Sequence, residues 1–388
     1  MISLFNRKLV KGISMADEIQ PNTLLGKIIE AEHEREQAEF VPSLLLQTLL
    51  EVLNQREQEV IARRHGLQGK KKETLEAIGS SFHVTRERIR QIENTALRHV
   101  RTSESYQHVA ERMEQAIGRI LDIYGGVMEE SHLLSEALAH IPEQSHEEPY
   151  VLFFLRAVGS DRVHEVFENE YVKTGWRLAH ADVSFLHAHI QELKSIFIEV
   201  ESPLEFDHVL EALRNRQFYT EHQHVLNDDI TRAHLYLGKH FSQNPFEQWG
   251  LVSWKTITPK RMGDKIFLVL KKHGEPLHYR DITEKINDYC FDHKKAHAPT
   301  VHNELILDDR YVLVGRGIYA LQDWGFEPGI VADVIDRVLE EAGTPFTREE
   351  IIQRVLERRV VKRGTIYLAL ADKKRFTRDA EGRYWKMG

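Results

Sequence analysis

The residues best suited to chemistry lie in one short stretch, "FHVTRERIRQIENTALR" at 82–98. It places four hydrogen-bonding side chains within six positions: Arg86, Glu87, Arg90 and Gln91. Arginine can bind guanine O6 and N7 with two hydrogen bonds, glutamine can read adenine, and glutamate can accept from cytosine N4. The stretch therefore predicts a surface that reads base edges in the major groove of duplex DNA.

A helix must hold these four side chains on one face. Thr85 is placed to cap a helix that runs to about Leu97. Apolar residues at helical spacing predict its buried stripe, which is Ile89, Ile92, Ala96 and Val100. The four polar side chains then lie on the opposite face near the helix N-terminus, where the second helix of a helix-turn-helix touches bases. Thr85 and Arg88 lie beside them and complete the predicted DNA-binding set of this helix.

A shorter helix is expected just before the reading helix. The segment "TLEAIGSSF" has Thr74 as a cap and Gly79 near its end, and "HV" supplies a tight turn. Further upstream, "PSLLLQTLLEVLNQREQEVI" has apolar residues at helical spacing, and "HGLQGKKK" interrupts that pattern. The alternative interpretation is a charged, solvated helix face stabilised by pairs at i,i+4.

The runs "REQEVIARRHGL" and "TLEAIGSSFHVTRERIRQIENTALRHVR" resemble the C-terminal, promoter-reading domain of bacterial primary sigma factors over about residues 42–102. This resemblance implies that the four polar side chains read a promoter −35 element. It also implies backbone or partner contacts for Arg63, Arg64, Lys70, Lys71, Lys72 and Arg88. Double-stranded, promoter-like DNA and the bacterial RNA polymerase core, through its flap, are the partners that the resemblance implies.

A full sigma factor also has an aromatic-rich helical domain that melts the −10 region and grips the polymerase clamp. About 41 residues precede the module here, and they contain Phe5 and Phe40 but no Trp or Tyr. We expect these residues to form a helical extension, and we do not expect promoter melting from them.

The remaining sequence reads as a repeated unit. Each unit has an apolar helix, a break, a second amphipathic helix, a third helix and an aromatic-glycine strand pair, which is the order of a winged helix. The second helices are "VMEESHLLSEALAHI", "PLEFDHVLEALRNR", "PLHYRDITEKINDY" and "PFTREEIIQRVLER". We predict a mainly α fold with small β wings, in which a sigma-type helix-turn-helix precedes four tandem winged-helix domains. The predicted boundaries are 1–41 for the extension, 42–109 for the sigma-like module, and 110–183, 184–258, 259–328 and 329–388 for the winged helices.

The third unit is the clearest of the four. "MGDKIFLVLKKHGEPLHYRDITEKI" and "APTVHNELILDDRYVLVGRGIYALQDW" resemble the HARE-HTH winged-helix domain over about residues 262–324. That domain is found in the polymerase delta subunit, in some restriction enzymes and in chromatin-associated proteins. The tryptophans near the unit ends are expected to fill the small cores: Trp176, Trp249, Trp254, Trp324 and Trp385.

Charge is distributed unevenly around the net charge of −8. Residues 56–101 carry 11 basic against 6 acidic side chains, whereas residues 110–183 carry 6 against 14. Residues 184–258 are also acidic, residues 259–328 are balanced and residues 329–388 are basic. Local charge decides whether a surface can approach phosphate, so the acidic units are expected to contact protein or act as spacers.

The fourth unit carries basic residues around its predicted third helix, "KRGTIYLALADKK". Lys362, Arg363 and Arg378 are predicted to bind DNA. The same surface is expected to include Arg358, Arg359, Arg375 and Arg383. A solvated charged face is the open alternative. In the third unit, weaker candidates for DNA contact are Thr300, His302 and Asn303.

Motifs of common enzymes are missing from the sequence, which contains no HExxH, GxxxxGK[ST] or GxSxG and no GxGxxG after a strand. The spacing of Cys290, His293, His297 and His302 could supply zinc ligands. However, His302 falls in the presumed third helix, and Cys290 is expected to be a core residue that ends a helix. Asp228 and Asp229 are expected to cap a helix rather than bind a cation. We predict no catalysis, no metal and no cofactor.

Together these patterns predict a DNA-binding transcription factor that recognises promoters with RNA polymerase and lacks its own melting domain. Two alternatives remain open: a polymerase-binding accessory or scaffold protein similar to the delta subunit, or the DNA reader of a DNA-modification system. A single cysteine, no membrane-length apolar run and no secretory signal favour the cytoplasm, at the nucleoid and not at a membrane.

Overall fold

The fold is mainly α-helical with small antiparallel sheets, as the sequence predicts. The computed structural model describes residues 40–142 and 145–387, so the predicted extension at 1–41 lies almost wholly outside the described residues. The helices are α1 (Pro42–Leu50), α2 (Gln55–His65), α3 (Leu75–Ser81), α4 (Arg86–Thr102), α5 (Tyr106–Ile123), α6 (Glu130–Ala137), α7 (Glu148–Phe153), α8 (Val183–Val200), α9 (Phe206–Arg214), α10 (Gln217–His222), α11 (Asp228–Leu237), α12 (Met262–His273), α13 (Tyr279–Asp288), α14 (Ala298–Leu307), α15 (Val331–Ala342), α16 (Arg348–Arg358) and α17 (Arg363–Leu370).

In the part of the chain that the structure describes, the strands are short and fall into four antiparallel sheets. They are β1 (Val127–Glu129), β2 (Val163–Val166), β3 (Gly175–Leu178), β4 (Phe241–Gln243), β5 (Trp249–Leu251), β6 (Leu277–His278), β7 (Tyr311–Gly315), β8 (Ile318–Leu321), β9 (Phe376–Arg378) and β10 (Tyr384–Lys386). A π-helical turn at Phe154–Val158 follows α7, and a 3-10 turn at Gln322–Trp324 follows β8. The described residues divide into two compact units, one within residues 40–196 together with Val209–His240, and the other of Phe197–His208 together with residues 241–387.

The first helical stretch is split in two by a capping box. Asn54 accepts hydrogen bonds from the backbone of Arg56 and Glu57, while the Glu57 carboxylate accepts one from the backbone of Asn54. An asparagine that satisfies the free N–H groups of a helix start stabilises a new helix there. The apolar periodicity over 42–61 therefore continues through two helices, α1 and α2.

One hydrophobic core runs through the first compact unit. It begins in α1 and α2 with residues such as Leu46 and Ile61, includes Ala96 and Val100 of α4, and continues to Ile117 and beyond to Trp176. The N-terminal half of α4 packs in a separate small cluster with α2 and α3, made of Val60, Ile78, Ile89 and Ile92. The sigma-like module thus shares its main core with the residues that follow it.

The same order of elements recurs four times after the module: a helix, a short extended segment, two helices or more, and a β-hairpin. The extended segment pairs with the second strand of the hairpin each time. In the first and third segments the sheets have the orders β1-β3-β2 and β6-β8-β7. In the second and fourth a single bridge replaces the strand, Leu204 with Trp249 and Phe346 with Tyr384. The assignment of these segments as winged helices stays a proposal, which this recurring order supports.

The tryptophans do not all fill cores. Trp176 and Trp249 are buried, and Trp254 and Trp324 are partly buried. The expectation was wrong for Trp385, whose side chain is 43% exposed on β10. The fourth segment instead buries Phe376 on the paired strand β9, and a β-strand alternates its side chains between the two faces of a sheet.

Two smaller expectations were also wrong. Cys290 is an exposed residue beyond the end of α13, and its thiol donates to the Asn287 carbonyl at 3.2 Å. The cap of α11 is Asn227, whose side chain accepts from the Ile230 backbone, whereas Asp228 and Asp229 lie in the first turn. The Asn227 amide oxygen caps the helix, and the two carboxylates in the first turn interact favourably with the positive end of the helix dipole.

Candidate nucleic-acid interface

The turn between α3 and α4 fixes the direction of the predicted reading helix. The Val84 N–H donates to the Gly79 carbonyl at 2.9 Å, and His83 adopts a left-handed conformation with φ of 55°. A side chain at Gly79 would place its Cβ 2.8 Å from the Val84 carbonyl oxygen, so only glycine fits here. Thr85 then caps α4 by accepting from the Arg88 backbone at 3.2 Å, as predicted.

Helix α4 separates an apolar face from a polar one as the sequence predicts. Its buried residues are Ile89, Ile92, Ala96 and Val100. The side chains of its first turns are exposed: Thr85, Arg86, Glu87, Arg88, Arg90 and Gln91. The helix runs to Thr102, five residues beyond the predicted end, because its C-terminal half packs into the main core.

The exposed side chains are partly engaged with one another. Arg90 donates two hydrogen bonds to the Glu87 carboxylate, at 2.6 and 2.8 Å. These bonds lower the pKa of Glu87 and raise the pKa of Arg90, so both side chains keep their charge. Arg88 donates to the Gln91 amide oxygen at 3.2 Å. Arg86 makes no hydrogen bond or ion pair within the described residues, which leaves it open to a ligand.

The basic residues that precede α3 fall into two groups. Lys71 and Lys72 are exposed, and Lys70 pairs with Glu59. Arg63 instead binds the Glu73 carboxylate with two hydrogen bonds of 2.6 and 2.7 Å, and these hydrogen bonds lower the pKa of Glu73 and raise that of Arg63.

Arg63 also donates to the Ser81 hydroxyl at 2.7 Å, and Arg64 donates to the Glu73 carbonyl at 3.2 Å. Both arginines therefore hold the helix-turn-helix together. The expectation that Arg63 and Arg64 contact DNA or a partner stays a prediction.

Sequence reasoning missed two contacts that position the reading helix. The Phe82 ring lies beside the guanidinium groups of Arg56 and Arg63, at 5.6 and 5.8 Å. Arg101, in the last turn of α4, donates to the carbonyls of Ala157 and Val158 at 2.7 and 3.0 Å. The first contact follows from an aromatic residue in the turn, but the second has no signal in the sequence because it joins residues more than fifty positions apart.

The basic surface predicted in the fourth segment is smaller than expected. Arg358 binds Glu327 and Glu341, Arg375 binds Asp333 and Asp336, and Arg383 binds Asp379 and Glu381. Arg359 is buried and donates to the Glu327 carbonyl. These four arginines are therefore engaged within the chain. Burial corrects the expectation for Arg359, whereas for Arg358, Arg375 and Arg383 it stays a prediction. Lys362, Arg363 and Arg378 are exposed.

Three comparisons with known proteins bear on this interface. Residues 49–102 match the family model described as Sigma-70, region 4. The chain is 45% identical over 85 residues to the RNA polymerase sigma factor SigA of Microcystis aeruginosa, which is 21% of this chain and 20% of that protein. The same figures hold for SigA of Synechocystis sp., and SigA of a Bacillus sp. is 50% identical over 56 residues, 14% of this chain and 15% of that protein.

The chain spans only about a fifth or less of the length of these sigma factors. No solved structure matches it. The region 4 match contains the whole helix-turn-helix and every exposed residue of the first turns of α4.

Two negative findings apply to the part of the chain that the structure describes. No helix there combines the length and apolar character that crossing a membrane requires. Nor are three His, Cys, Asp or Glu side chains grouped within residues 40–142 and 145–387 so that they could hold a metal ion.

Proposed function

We propose that this chain is a non-catalytic DNA-binding protein of transcription initiation that reads a promoter −35-like element through α4. The observation that carries the proposal is the exposed first two turns of α4, with Arg86, Glu87, Arg90 and Gln91 directed away from a buried apolar stripe, inside the region 4 match. Thr85 and Arg88 flank these readers, and Lys70, Lys71 and Lys72 supply phosphate contacts from the loop before α3.

The bacterial RNA polymerase core is the proposed protein partner, because the matched relatives are RNA polymerase sigma factors. The four segments after the module are proposed to be winged helices, the third of HARE-HTH type. Lys362, Arg363 and Arg378 of the fourth would add contacts to DNA phosphate. Such a protein would act at the nucleoid in the cytoplasm.

Replacing single readers tests the proposal. Arg86→Ala and Gln91→Ala should each reduce the preference for the bound promoter sequence over random duplex, by about 1–3 kcal/mol. Lys71→Ala should weaken binding to every duplex alike and reduce its salt dependence, because a phosphate contact carries no sequence information. Binding sites selected from a random library and then measured by fluorescence anisotropy give both quantities. An Arg86→Ala protein with an unchanged sequence preference would show that α4 does not read DNA.

A polymerase-binding accessory protein, similar to the delta subunit, is the second candidate. The Glu87–Arg90 ion pair favours it, because two of the four readers satisfy each other in the free protein. A gel shift on random duplexes with and without polymerase core separates the two roles, since an accessory protein would shift DNA only with polymerase. The reader of a DNA-modification system remains a third role, which a neighbouring nuclease or methyltransferase gene would support.

A further inference from the structure

Two leucines of the second compact unit are unusually exposed. Of the residues that the structure describes, three large apolar side chains are more than 70% exposed, and two of them are Leu307 and Leu368, at 71% and 78%. Each lies on the last helix before a hairpin, Leu307 at the end of α14 and Leu368 in α17. The two leucines therefore belong to corresponding helices of the third and fourth segments, and their surroundings differ in charge.

The outer face of α17 is apolar. Gly364, Leu368 and Ala371 follow one another at intervals of four and three residues, so they lie on one side of the helix. Tyr367 lies three residues after Gly364 and borders the same side. All four residues are exposed, while the opposite side of α17 packs into the core of the fourth segment. We call these four residues the α17 face.

Cations border the α17 face. The Arg348 guanidinium lies 5.4 Å from the centre of the Tyr367 ring. Lys373 and Lys374, which follow the helix, are exposed and form no ion pair within the described residues. From residue 362 to residue 374 the chain carries four Lys or Arg against one Asp. Protein interfaces have an apolar centre inside a polar rim, so the α17 face suits an acidic protein surface.

A surface of the opposite charge surrounds Leu307. This leucine lines a shallow depression together with Glu304, Asp309 and Asp323. The three carboxylates form no ion pair within the described residues. Arg310, which also lines the depression, is neutralised by two other carboxylates of the same chain. We call Leu307 and the three carboxylates the acidic depression. It combines an exposed apolar side chain with a negative rim, as the α17 face does with a positive one.

We propose that the α17 face of one copy of this protein docks in the acidic depression of a second copy. Leu368 would bury against Leu307, and the cations beside α17 would face the three carboxylates. Complementary surfaces at two different places on one molecule give a head-to-tail contact, to which each copy contributes a different surface. Self-association of this kind goes beyond the proposed function and does not depend on it.

Duplex nucleic acid is the other class of ligand that a basic rim attracts. Base edges are read mainly by hydrogen-bonding side chains, and Gly364, Leu368 and Ala371 have none. The acidic depression would repel phosphate, whereas a second copy covers both apolar surfaces at once. Lys362 and Arg363, which are proposed to contact phosphate, precede Gly364 and border the α17 face. Bound DNA and a second copy would therefore compete there.

Sedimentation velocity of nuclease-treated, full-length protein over a range of concentrations tests the contact. The parent chain should form larger species as its concentration rises. Leu368→Asp and Leu307→Lys each place a charge opposite charges of the same sign. Each should raise the dissociation constant about thirtyfold or more, as the loss of a central interface residue does. The matched control is Phe167→Asp, which charges a 74% exposed side chain of the first compact unit and should associate like the parent chain.

Mixing the two variants separates a specific contact from a general effect of added charge. Leu368→Asp keeps its acidic depression and Leu307→Lys keeps its α17 face, so an equimolar mixture should associate although neither variant does so alone. A mixture that stays monomeric would overturn the proposal, as would a parent chain that is monomeric at every concentration. Association that disappears after nuclease treatment would also overturn it, and would identify nucleic acid as the ligand of the α17 face.

Discussion

At the residue scale, the ion pair between Glu87 and Arg90 determines how many of the four proposed base-reading side chains are available to DNA. In the free protein Arg90 gives two hydrogen bonds to Glu87, so neither side chain is available to a base without rearrangement. Both side chains are more than half exposed, so the pair is weakly held and water can replace it. If α4 reads DNA as proposed, DNA would compete for Arg90, and Glu87 would turn to a cytosine amino group.

We expect Glu87→Gln to strengthen binding to random duplex and to relax the sequence preference. The change removes one negative charge from the DNA-facing surface and releases Arg90 to contact phosphate. The salt slope of random binding should steepen by about 0.9. Anisotropy titrations over a range of salt concentrations measure the slope and the preference together.

The matched control is Glu76→Gln, which removes one exposed carboxylate from the neighbouring helix α3. Glu76→Gln should change the salt slope less than Glu87→Gln does, and it should leave the sequence preference unchanged. If both variants steepen the slope equally, general charge rather than the release of Arg90 explains the effect.

Residue types and spacing predicted the local features of this site. Thr74, Thr85 and the buried stripe of α4 follow from capping and helical period, and the structure confirms them. The roles of Arg63 and Arg64 could not be predicted, because an ion pair across a turn has no fixed spacing. Whether an arginine binds a ligand or the carboxylate of Glu73 depends on packing that the sequence alone does not show.

At the element scale, two helices of the second segment are joined by a buried histidine pair. His189 of α8 and His234 of α11 are almost fully buried, and their Nδ1 atoms are 2.9 Å apart. One ring must donate and the other accept, so the accepting ring is neutral. The rings of Phe185 and Phe218 surround them, with His222 close by. Burial lowers the pKa of His234 to about 3 and places that of His189 well below its usual value.

This pair predicts loss of stability in acid. In the unfolded chain each histidine takes a proton near pH 6.5, whereas in the folded protein neither does until the pH is far lower. The unfolded state binds more protons, so the free energy of unfolding falls as the pH drops below about 6.5. Between pH 7.5 and 5 each histidine should contribute a loss of about 2 kcal/mol. Urea unfolding of the full chain at several pH values measures this.

The double replacement His189→Leu, His234→Leu should reduce the pH dependence, since it removes the two buried imidazoles whose pKa values are lowered most strongly by burial. His83→Gln, which removes an exposed histidine, serves as the control and should leave it unchanged. An equal pH dependence in the double variant and the parent chain would mean that other groups cause the acid sensitivity.

At the scale of the whole molecule, the repeated order of elements could be anticipated from apolar periodicity and aromatic-glycine ends, but the way the segments join could not. The third and fourth segments are joined by a backbone hydrogen bond from Val360 to Val314, which has no signature in either segment. The predicted boundary at residue 109 separates the sigma-like module from the first proposed winged helix. However, a single hydrophobic core contains residues from both sides of this boundary.

Three polar contacts reinforce that shared core. The Glu147 carboxylate accepts from the Ser43 backbone and hydroxyl at 2.7 and 2.6 Å. The Tyr150 hydroxyl accepts from the Gln68 backbone at 3.0 Å. Arg101 forms the third contact, from the end of the reading helix to the π-helical turn. The sigma-like module should therefore unfold together with the segment that follows it.

Arg101→Met tests this coupling. It leaves the carbonyls of Ala157 and Val158 without their donor while keeping an apolar stem in place, and it should lower the free energy of unfolding by about 1–3 kcal/mol. Because one core spans both parts, hydrogen exchange should quicken together in peptides from 42–61 and 106–123. Arg98→Met, on the exposed side of the same helix, should change neither the free energy of unfolding nor the exchange rates. Faster exchange confined to 106–123 would show that the sigma-like module unfolds independently of residues 110–183. The contact from Arg101 to residues 157 and 158 would then not be needed to hold α4 in place.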